Sequence, residues 1–200
     1  MPVLGITGGI ATGKSTFARC LPRYLPGRSY DADEAARNLL ADDLSVREAV
    51  RDAFGAEIFR PDGELDRTRL RELVFADASK RSRLEAILHP LIRRSWLALA
   101  AETRQAGTWL FVDLPLLYET GAEPHFDRVV VVGCSPANQA WRLENLRKLP
   151  EEIAGKILAA QLDLLTKTKK ADHLIWNDSG VSCLESQAEL LGHWLRQCYG

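Results

Sequence analysis

Hydrophobic and polar positions follow two kinds of pattern along the chain. Continuous apolar runs at residues 3–7, 108–117 and 127–134 are typical of strands buried on both faces of a parallel sheet. Residues 28–33 and 173–177 predict two further short strands. The segments between these runs place apolar residues three and four positions apart, which is helical spacing. Strands separated by helices predict an α/β fold with a five-stranded parallel sheet covered by helices.

Residues 46–105 contain almost no strand signal. Their periodicity predicts two helices over 66–105, the second interrupted near Pro90 because proline removes a helical hydrogen bond. For the same reason, a helix beginning at Lys14 is expected to bend or end early at Pro22. Later helices are predicted from Ser135 onward, over about 150–165 and over 182–198.

A chain of 200 residues is long enough for one domain that carries an insertion. The order of elements predicts a single domain whose core consists of about 1–35, 106–136 and 171–200. A helical region over about 36–105 is expected as an insertion in this core. The helical segment over about 137–170 is expected to form a lid.

The composition argues against several partner classes. The chain is 46% hydrophobic, and its 26 Lys and Arg residues nearly balance 27 Asp and Glu residues, for a net charge of −1. This balance does not favour a nucleic acid or a membrane surface as partner, and nothing indicates an obligate protein partner. The four cysteines form no CxxC pair and the N-terminus lacks a secretory pattern, so free buried thiols and a cytoplasmic location are expected.

The stretch "GITGGIATGKST" at residues 5–16 matches GxxxxGK[ST], the phosphate-binding loop (P-loop), between Gly8 and Ser15. Small residues let backbone N–H groups surround a phosphate, and the following helix adds its positive end. Lys14 is expected to reach the β- and γ-phosphates of a nucleoside triphosphate, and Ser15 to ligate Mg²⁺. A tight strand-to-helix turn without a ligand is the alternative. The loop residues predicted to bind the nucleotide are Gly8, Gly9, Ile10, Ala11, Thr12, Gly13, Lys14, Ser15 and Thr16.

Asp113 ends the apolar stretch "WLFVD", at the sheet edge where open α/β sheets place their ligands. A carboxylate there can hold the magnesium shell, although an Asp can also simply end a strand. The guanine-specific NKxD motif does not follow a late strand. One P-loop together with lid-like helices suits a small-molecule kinase, which must keep water away from the transferred phosphoryl group.

The stretch "YDADEAAR" supplies a second candidate for chemistry. Asp31 and Asp33 end the second predicted strand, and Arg37 follows one helical turn later. A kinase that acts on a hydroxyl needs a carboxylate to accept its proton, and an arginine can bind an anionic part of the substrate. Asp33 is equally well placed to cap the helix that follows. The residues alone leave both interpretations open.

Taken together, these motifs resemble those of the dephospho-coenzyme A kinase family, in the family's order over about residues 5–180. The resemblance implies transfer of the γ-phosphoryl group of ATP to the 3′-hydroxyl of dephospho-CoA, the last step of CoA synthesis. It also implies a P-loop kinase core with a helical CoA-side region and a lid. The matching stretches are "GITGGIATGKST", "DADEAAR", "FGAEIFRPDGELDRTRLRELVF", "LEAILHPLI", "VDLPLLYETG", "ILAAQ" and "ADHLIWNDSG".

The same resemblance implies roles for individual residues. Asp33 is similar to the family's catalytic base, and Arg37 would contact the acceptor substrate. Lys14 is implied as a catalytic residue at the phosphates, and Asn177 as a contact on the adenine side. The remaining acceptor-side contacts that it implies are His89, Leu116 and Glu119, although a histidine before a proline in a helix is by itself more typical of packing.

The lid departs from the family pattern of two arginines four residues apart. Arg142 matches the first and is implied as catalytic, but the second position holds Leu146. The neighbouring Arg147 is turned by about 100° on a helix, so it compensates only if the helix ends early. Lys148 and Lys156 are the other candidates for the γ-phosphate contact, and a solvated charged face is the alternative.

Two other functions stay open at this point. The chain could be another P-loop kinase that acts on a nucleoside or nucleotide, or a nucleotide-binding switch without kinase activity, because a P-loop by itself does not specify a reaction.

Overall fold

The computed structural model describes residues 1–148, 150–159 and 161–200. These residues form a five-stranded parallel sheet with the strand order β2-β3-β1-β4-β5, which confirms the predicted α/β fold. The strands are β1 (Val3–Gly8), β2 (Gly27–Asp31), β3 (Trp109–Asp113), β4 (Arg128–Gly133) and β5 (His173–Trp176).

Helices connect the strands along the described chain. None of the helices described is both long enough and apolar enough to cross a membrane. All four cysteines are free thiols; Cys20 and Cys134 are buried as expected, whereas the prediction of buried thiols is wrong for Cys183 and Cys198, which are exposed. The helices are α1 (Lys14–Cys20), α2 (Ala32–Asp42), α3 (Leu44–Phe54), α4 (Arg67–Ala76), α5 (Ala78–Gln105), α6 (Pro136–Asn145), α7 (Glu151–Ala159), α8 (Leu164–Lys170) and α9 (Val181–Tyr199).

The predicted interruption of the second long helix at Pro90 is wrong, because α5 continues through this residue. A proline inside a helix costs about 3 kcal/mol, since one hydrogen bond is lost and its ring clashes with the preceding turn. Leu88, Ile92 and Trp96 lie four residues apart around Pro90 and are only 6%, 7% and 1% exposed. Burial of this helix face outweighs the local penalty.

Other helix boundaries follow local signals. As predicted, α1 ends before Pro22, and a 3₁₀ turn over Leu21–Arg23 follows it. The helix predicted over about 150–165 is present as α7, but its predicted end is wrong, because α7 ends at Ala159 and α8 is a separate helix. The Asp163 side chain accepts a hydrogen bond of 2.9 Å from the Thr166 amide and so caps a new helix at this point.

The chain divides into two compact units. One consists of Met1–Asp31 and Leu99–Gly200, and contains all the strands described above. The other consists of Ala32–Ala98 and contains α2, α3, α4 and most of α5. The division into a core, a CoA-side region and a lid stays a prediction.

The core of the first unit lies between the sheet and the helices α1 and α9. Every residue of β1 and β3 is buried, as expected for inner strands of a parallel sheet. Helix α9 buries one face, which carries Leu184, Ala188, Leu191 and Leu195 at helical spacing. These side chains belong to one hydrophobic cluster with Phe17 of α1. The packing fixes α1, and therefore the loop before it, against the sheet.

The strand register brings the carboxyl ends of three neighbouring strands to the same level. Asp113 of β3 is the register partner of Ile6 in β1 and of Asp31 in β2. The P-loop leaves β1 two residues after Ile6. The carboxyl ends of these strands therefore lie at one edge of the sheet, where ligands bind in such folds.

The helical unit is organised by short capping interactions. Asp43 caps α3 through the Val46 amide at 3.1 Å, and Asp66 caps α4 through the Arg69 amide at 3.1 Å. Gly55 ends α3 with a φ of +89°, a conformation that favours glycine. Sequence-local signals thus define the helices of this unit.

The packing of α9 gives a stability prediction. Leu184→Ala should lower the free energy of unfolding by about 2–5 kcal/mol, because a side chain that is 2% exposed leaves a cavity in the core. Leu190→Ala on the same helix is the matched control; its side chain is 70% exposed, so the change should stay within about 0.5 kcal/mol. Urea denaturation of both variants measures the difference, and equal losses would contradict this description of the core.

Candidate active site

Two glycines of the P-loop are required by close contacts. A Cβ atom on Gly8 would collide with the backbone carbonyl oxygen of Val132. Gly13 has a φ of +94°, and a Cβ atom there would collide with the Asn177 side-chain amide. Ala11 also adopts a positive φ, +60°, which costs a non-glycine residue about 1–3 kcal/mol and is characteristic of ligand-binding loops. The loop conformation therefore depends on its surroundings.

Lys14 and Ser15 both contact Asp113. The Lys14 ammonium forms an ion pair with Asp113 Oδ1, and Ser15 Oγ donates a hydrogen bond of 3.0 Å to Oδ2. Lys14 and Asp113 are only 9% and 4% exposed, so water screens their interaction weakly. The structure thus brings together the P-loop residues and the strand-end carboxylate that the sequence nominated separately.

Two glutamine side chains hold the backbone of Ile10 in the P-loop. Gln139 of α6 donates from Nε2 to the Ile10 carbonyl at 2.8 Å, and Gln161 accepts at Oε1 from the Ile10 amide at 3.1 Å. Neither role is among those predicted from the sequence. Gln139 lies three residues before Arg142, hence on the same helix face, which was an available signal. Gln161 ends the quoted stretch "ILAAQ", whose Ala160 lies outside the described residues.

Arg142 binds backbone carbonyl groups at the P-loop. Its guanidinium donates to the carbonyl oxygens of Ala11 and Thr12, each at 3.4 Å, and to that of Asn177 at 2.8 Å. Asn177 in turn donates from Nδ2 to the Thr12 carbonyl at 2.7 Å. Both residues predicted from the resemblance therefore lie against the P-loop, and they link it to the segment after β5.

The other residues of the predicted lid pattern follow Arg142 in the chain. Helix α6 ends at Asn145, so Arg147 lies beyond the helix. The requirement that the helix end early for Arg147 to replace the missing second arginine is therefore met. Leu146 is 65% exposed, and Arg147, Lys148 and Lys156 are exposed as well. Which of these basic residues contacts a γ-phosphate stays a prediction.

Asp178, next to Asn177, fixes the segment after β5. Its carboxylate accepts hydrogen bonds from the Asn138 side chain at 2.9 Å, the Ser135 amide at 2.7 Å and the Trp176 indole at 2.9 Å. These bonds, that of Asn138 first, lower the pKa of Asp178 to about 2. The charged form of Asp178 thus joins β5 to the start of α6.

Leu116 and Glu119 lie in the turn that follows β3. Leu116 is half-buried, and its carbonyl accepts a hydrogen bond of 2.8 Å from the Thr120 hydroxyl. Glu119 Oε1 accepts from the Leu162 amide at 2.8 Å and pairs with Lys167 at 2.8 Å. An acceptor-side role for Leu116 and Glu119 stays a prediction.

Asp33 and Arg37 belong to the helical unit. Since α2 begins at Ala32, the N-cap position falls on Asp31, and the alternative in which Asp33 caps the helix is wrong. Asp33 lies in the first turn of α2, where the helix dipole favours a carboxylate. Arg37 follows four residues later on the same helix face, and both residues are exposed.

His89 lies within α5 and is half-buried. Burial lowers its pKa, Arg93 acts in the same direction and Glu85 opposes both. The neutral imidazole is therefore favoured at this position, where it can serve as a hydrogen-bond partner or as a packed side chain.

The contact between Gly13 and Asn177 gives a second stability prediction. Gly107→Ala places a side chain at a φ of +64° in open space, so it should cost only the strain of about 1–2 kcal/mol. Gly13→Ala adds a collision with the buried Asn177 amide, an overpacking cost of about 1–3 kcal/mol more. Thermal and urea unfolding compare the two variants, and equal destabilisation would mean that the collision is relieved without cost.

Comparisons with known proteins identify the family of the chain. The family model of dephospho-CoA kinase (CoaE) matches residues 2–182. A dephospho-CoA kinase of Anaeromyxobacter dehalogenans is 43% identical over 195 residues, covering 96% of this chain and 90% of that protein. One of Methylococcus capsulatus is 38% identical over 191 residues, covering 96% and 95%. The solved structure of the dephospho-CoA kinase from Campylobacter jejuni superimposes with a TM-score of 0.71 at 26% identity, covering 98% of this chain and 97% of that one. The chain therefore belongs to the dephospho-CoA kinase family.

Proposed function

We propose that this chain transfers the γ-phosphoryl group of ATP to the 3′-hydroxyl of dephospho-CoA, giving CoA and ADP, the final step of CoA synthesis. The observation that carries the proposal is the convergence of Lys14 and Ser15 on Asp113 at the P-loop, in a chain of this family. Those residues supply the charge and the oxygen ligands that phosphoryl transfer requires.

We assign the ATP phosphates to the backbone N–H groups of the P-loop and to Lys14. The ammonium group of Lys14 neutralises charge that develops on the transferred phosphoryl group, which is a stabilisation specific to the transition state. Arg142 is assigned to the same group as a catalytic residue, with Arg147, Lys148 and Lys156 as further candidates in the lid. Asn177, already in contact with the P-loop, is assigned to the adenine side.

We assign Mg²⁺ to Ser15 and Asp113. A hydroxyl and a carboxylate are hard oxygen ligands, and here they lie within 3.0 Å of each other. Mg²⁺ is commonly held by one or two such groups together with phosphate oxygens and water, so the pair fits the ion. When bound there by Ser15 and Asp113, the ion would supply positive charge that offsets the negative charge of the phosphates.

On the acceptor side, we assign Asp33 as the general base. Its carboxylate accepts the proton of the 3′-hydroxyl as the oxygen attacks the γ-phosphorus, with Asp31 as its neighbour in the chain. Arg37 is assigned to an anionic group of dephospho-CoA, since a guanidinium binds phosphate with two parallel hydrogen bonds. His89, Leu116 and Glu119 are the other acceptor-side residues that we propose.

We further infer a cytoplasmic enzyme whose partners are the small molecules ATP and dephospho-CoA. The near-neutral composition favours neither nucleic acid nor a membrane surface as a partner. We propose that the enzyme needs no obligate protein partner.

The acceptor specificity tests the reaction directly. ADP formation should be fastest with dephospho-CoA and much slower with adenosine, AMP or GMP at equal concentration. Turnover of one of these nucleosides or nucleotides but not of dephospho-CoA would identify a different P-loop kinase. Slow ATP hydrolysis with no acceptor dependence would instead indicate a nucleotide-binding switch.

Asp33→Asn tests the base. It should lower kcat by about 10²–10⁴-fold, because the carboxamide accepts no proton, and leave ATP affinity within about twofold of wild type. Asp42→Asn at the other end of α2 is the matched control and should retain wild-type kcat. Steady-state kinetics and calorimetric ATP titration provide the measurements. A fully active Asp33→Asn enzyme would exclude Asp33 as the base.

A further inference from the structure

Lys167 is a buried cation that the proposed chemistry does not use. Its side chain is 0% exposed, and its ammonium group lies beside the P-loop. The Nζ atom donates hydrogen bonds to the carbonyl oxygens of Gly8 at 3.3 Å and Pro115 at 3.1 Å, and pairs with Glu119 Oε1 at 2.8 Å. A lysine has three N–H donors, so these three acceptors satisfy it completely.

Two of the acceptors mark the ends of neighbouring strands. Gly8 is the last residue of β1 and the first of the P-loop, and Pro115 follows Asp113, the last residue of β3, by two positions. The Thr7 hydroxyl also donates to the Pro115 carbonyl, at 3.1 Å. Lys167 therefore joins the beginning of the P-loop to the segment that follows Asp113 at the end of β3.

The third acceptor extends the connection to the segment before α8. Glu119 Oε1 is shared between Lys167 and the Leu162 amide. Leu162 directly follows Gln161, which accepts the hydrogen bond from the Ile10 amide. The P-loop is thus held at Gly8 through Lys167 and at Ile10 through Gln161, and Glu119 contacts both parts of this support.

We propose that Lys167 and Glu119 are positioning residues for phosphoryl transfer, which hold the P-loop in register with Asp113. The proposal rests on the proposed function, and it adds a role in holding the P-loop to the acceptor-side assignment of Glu119. Lys167 has no access to solvent, so it acts through the backbone carbonyls that it binds and not by touching ATP.

Stability alone does not account for a charged pair at this place. Removing an ammonium group from water is costly, and apolar residues of similar size often replace buried ion pairs without loss of stability. An apolar side chain, however, leaves the Gly8 and Pro115 carbonyls without this donor. The pair therefore fixes the backbone geometry at the point where the P-loop begins. This geometry matters for the rate, because displacement of reacting groups by about 1 Å can lower it by about 10²-fold.

Lys167→Met removes the charge and retains a long side chain. We expect kcat to fall and the Kd for MgATP to rise, each by about tenfold or more, while the KM for dephospho-CoA stays within about twofold. Lys169→Met, on the same helix but exposed, is the matched control and should match wild type in all three constants. Values are normalised to the folded fraction, measured by circular dichroism at the assay temperature.

A double-mutant cycle with Glu119→Gln tests the coupling. The carboxamide oxygen still accepts from Leu162 but carries no charge for Lys167, so Glu119→Gln should shift kcat and the MgATP Kd in the same direction as Lys167→Met, by a smaller factor. In the Lys167→Met background it should have almost no further effect. If Lys167→Met does not fold, the MgATP Kd and kcat of Glu119→Gln decide the question.

Three results would overturn the inference. A lower melting temperature with kcat and MgATP Kd within twofold of wild type would make the pair purely structural. Multiplicative effects of the two substitutions would exclude coupling. A rise in the dephospho-CoA KM alone in Glu119→Gln would place Glu119 at the acceptor instead. Failure of the wild-type enzyme to phosphorylate dephospho-CoA would refute the proposed function only, because the MgATP Kd, measured by calorimetry, tests the pair independently.

Discussion

The site depends on the parallel register between β1 and β3. Ile6 pairs with Asp113 in this register, so the P-loop begins just beyond the level at which the carboxylate leaves the sheet. Lys14 and Ser15 can then reach both oxygens of Asp113 from the first turn of α1. A slip of one residue in either strand would turn the strand-end side chain to the other face of the sheet. The core between α1, α9 and the sheet fixes this register.

The P-loop also depends on side chains that come from distant parts of the chain. Gln139, Gln161, Arg142, Asn177 and Lys167 each bind one or more of its backbone groups. A positive φ strains the backbone at Ala11, whereas glycine adopts it readily at Gly13. The bonds from the surrounding side chains select one conformation of this loop. Backbone donors that are fixed in advance need no reorganisation during the reaction, which is a principal source of catalytic power. The surroundings of the loop are therefore as important as its motif.

Most of the fold was predictable because its signals are local. The apolar runs of β3 and β4 are buried on both faces, and Pro22 ends α1 as its ring requires. The predicted interruption at Pro90 was wrong, because burial of the α5 face that carries Trp96 outweighs the local cost of a proline inside a helix. In the site, the glycine loop and Asp113 could be identified from the sequence, whereas the contact of Gln161 with Ile10 could not, because a glutamine between two helices has no distinctive pattern.

The sequence by itself determined the number and type of the strands, the P-loop with Lys14 and Ser15, and the family. These properties depend on residue type and short spacing. Only the tertiary structure decided the contacts of Lys167, whose partners Gly8 and Glu119 lie 159 and 48 positions away in the chain. Burial and charge pairing at such separations arise when the strands and helices pack, and no spacing along the sequence encodes them. The motif specifies which residues can bind a phosphate, and the packing specifies where they are held.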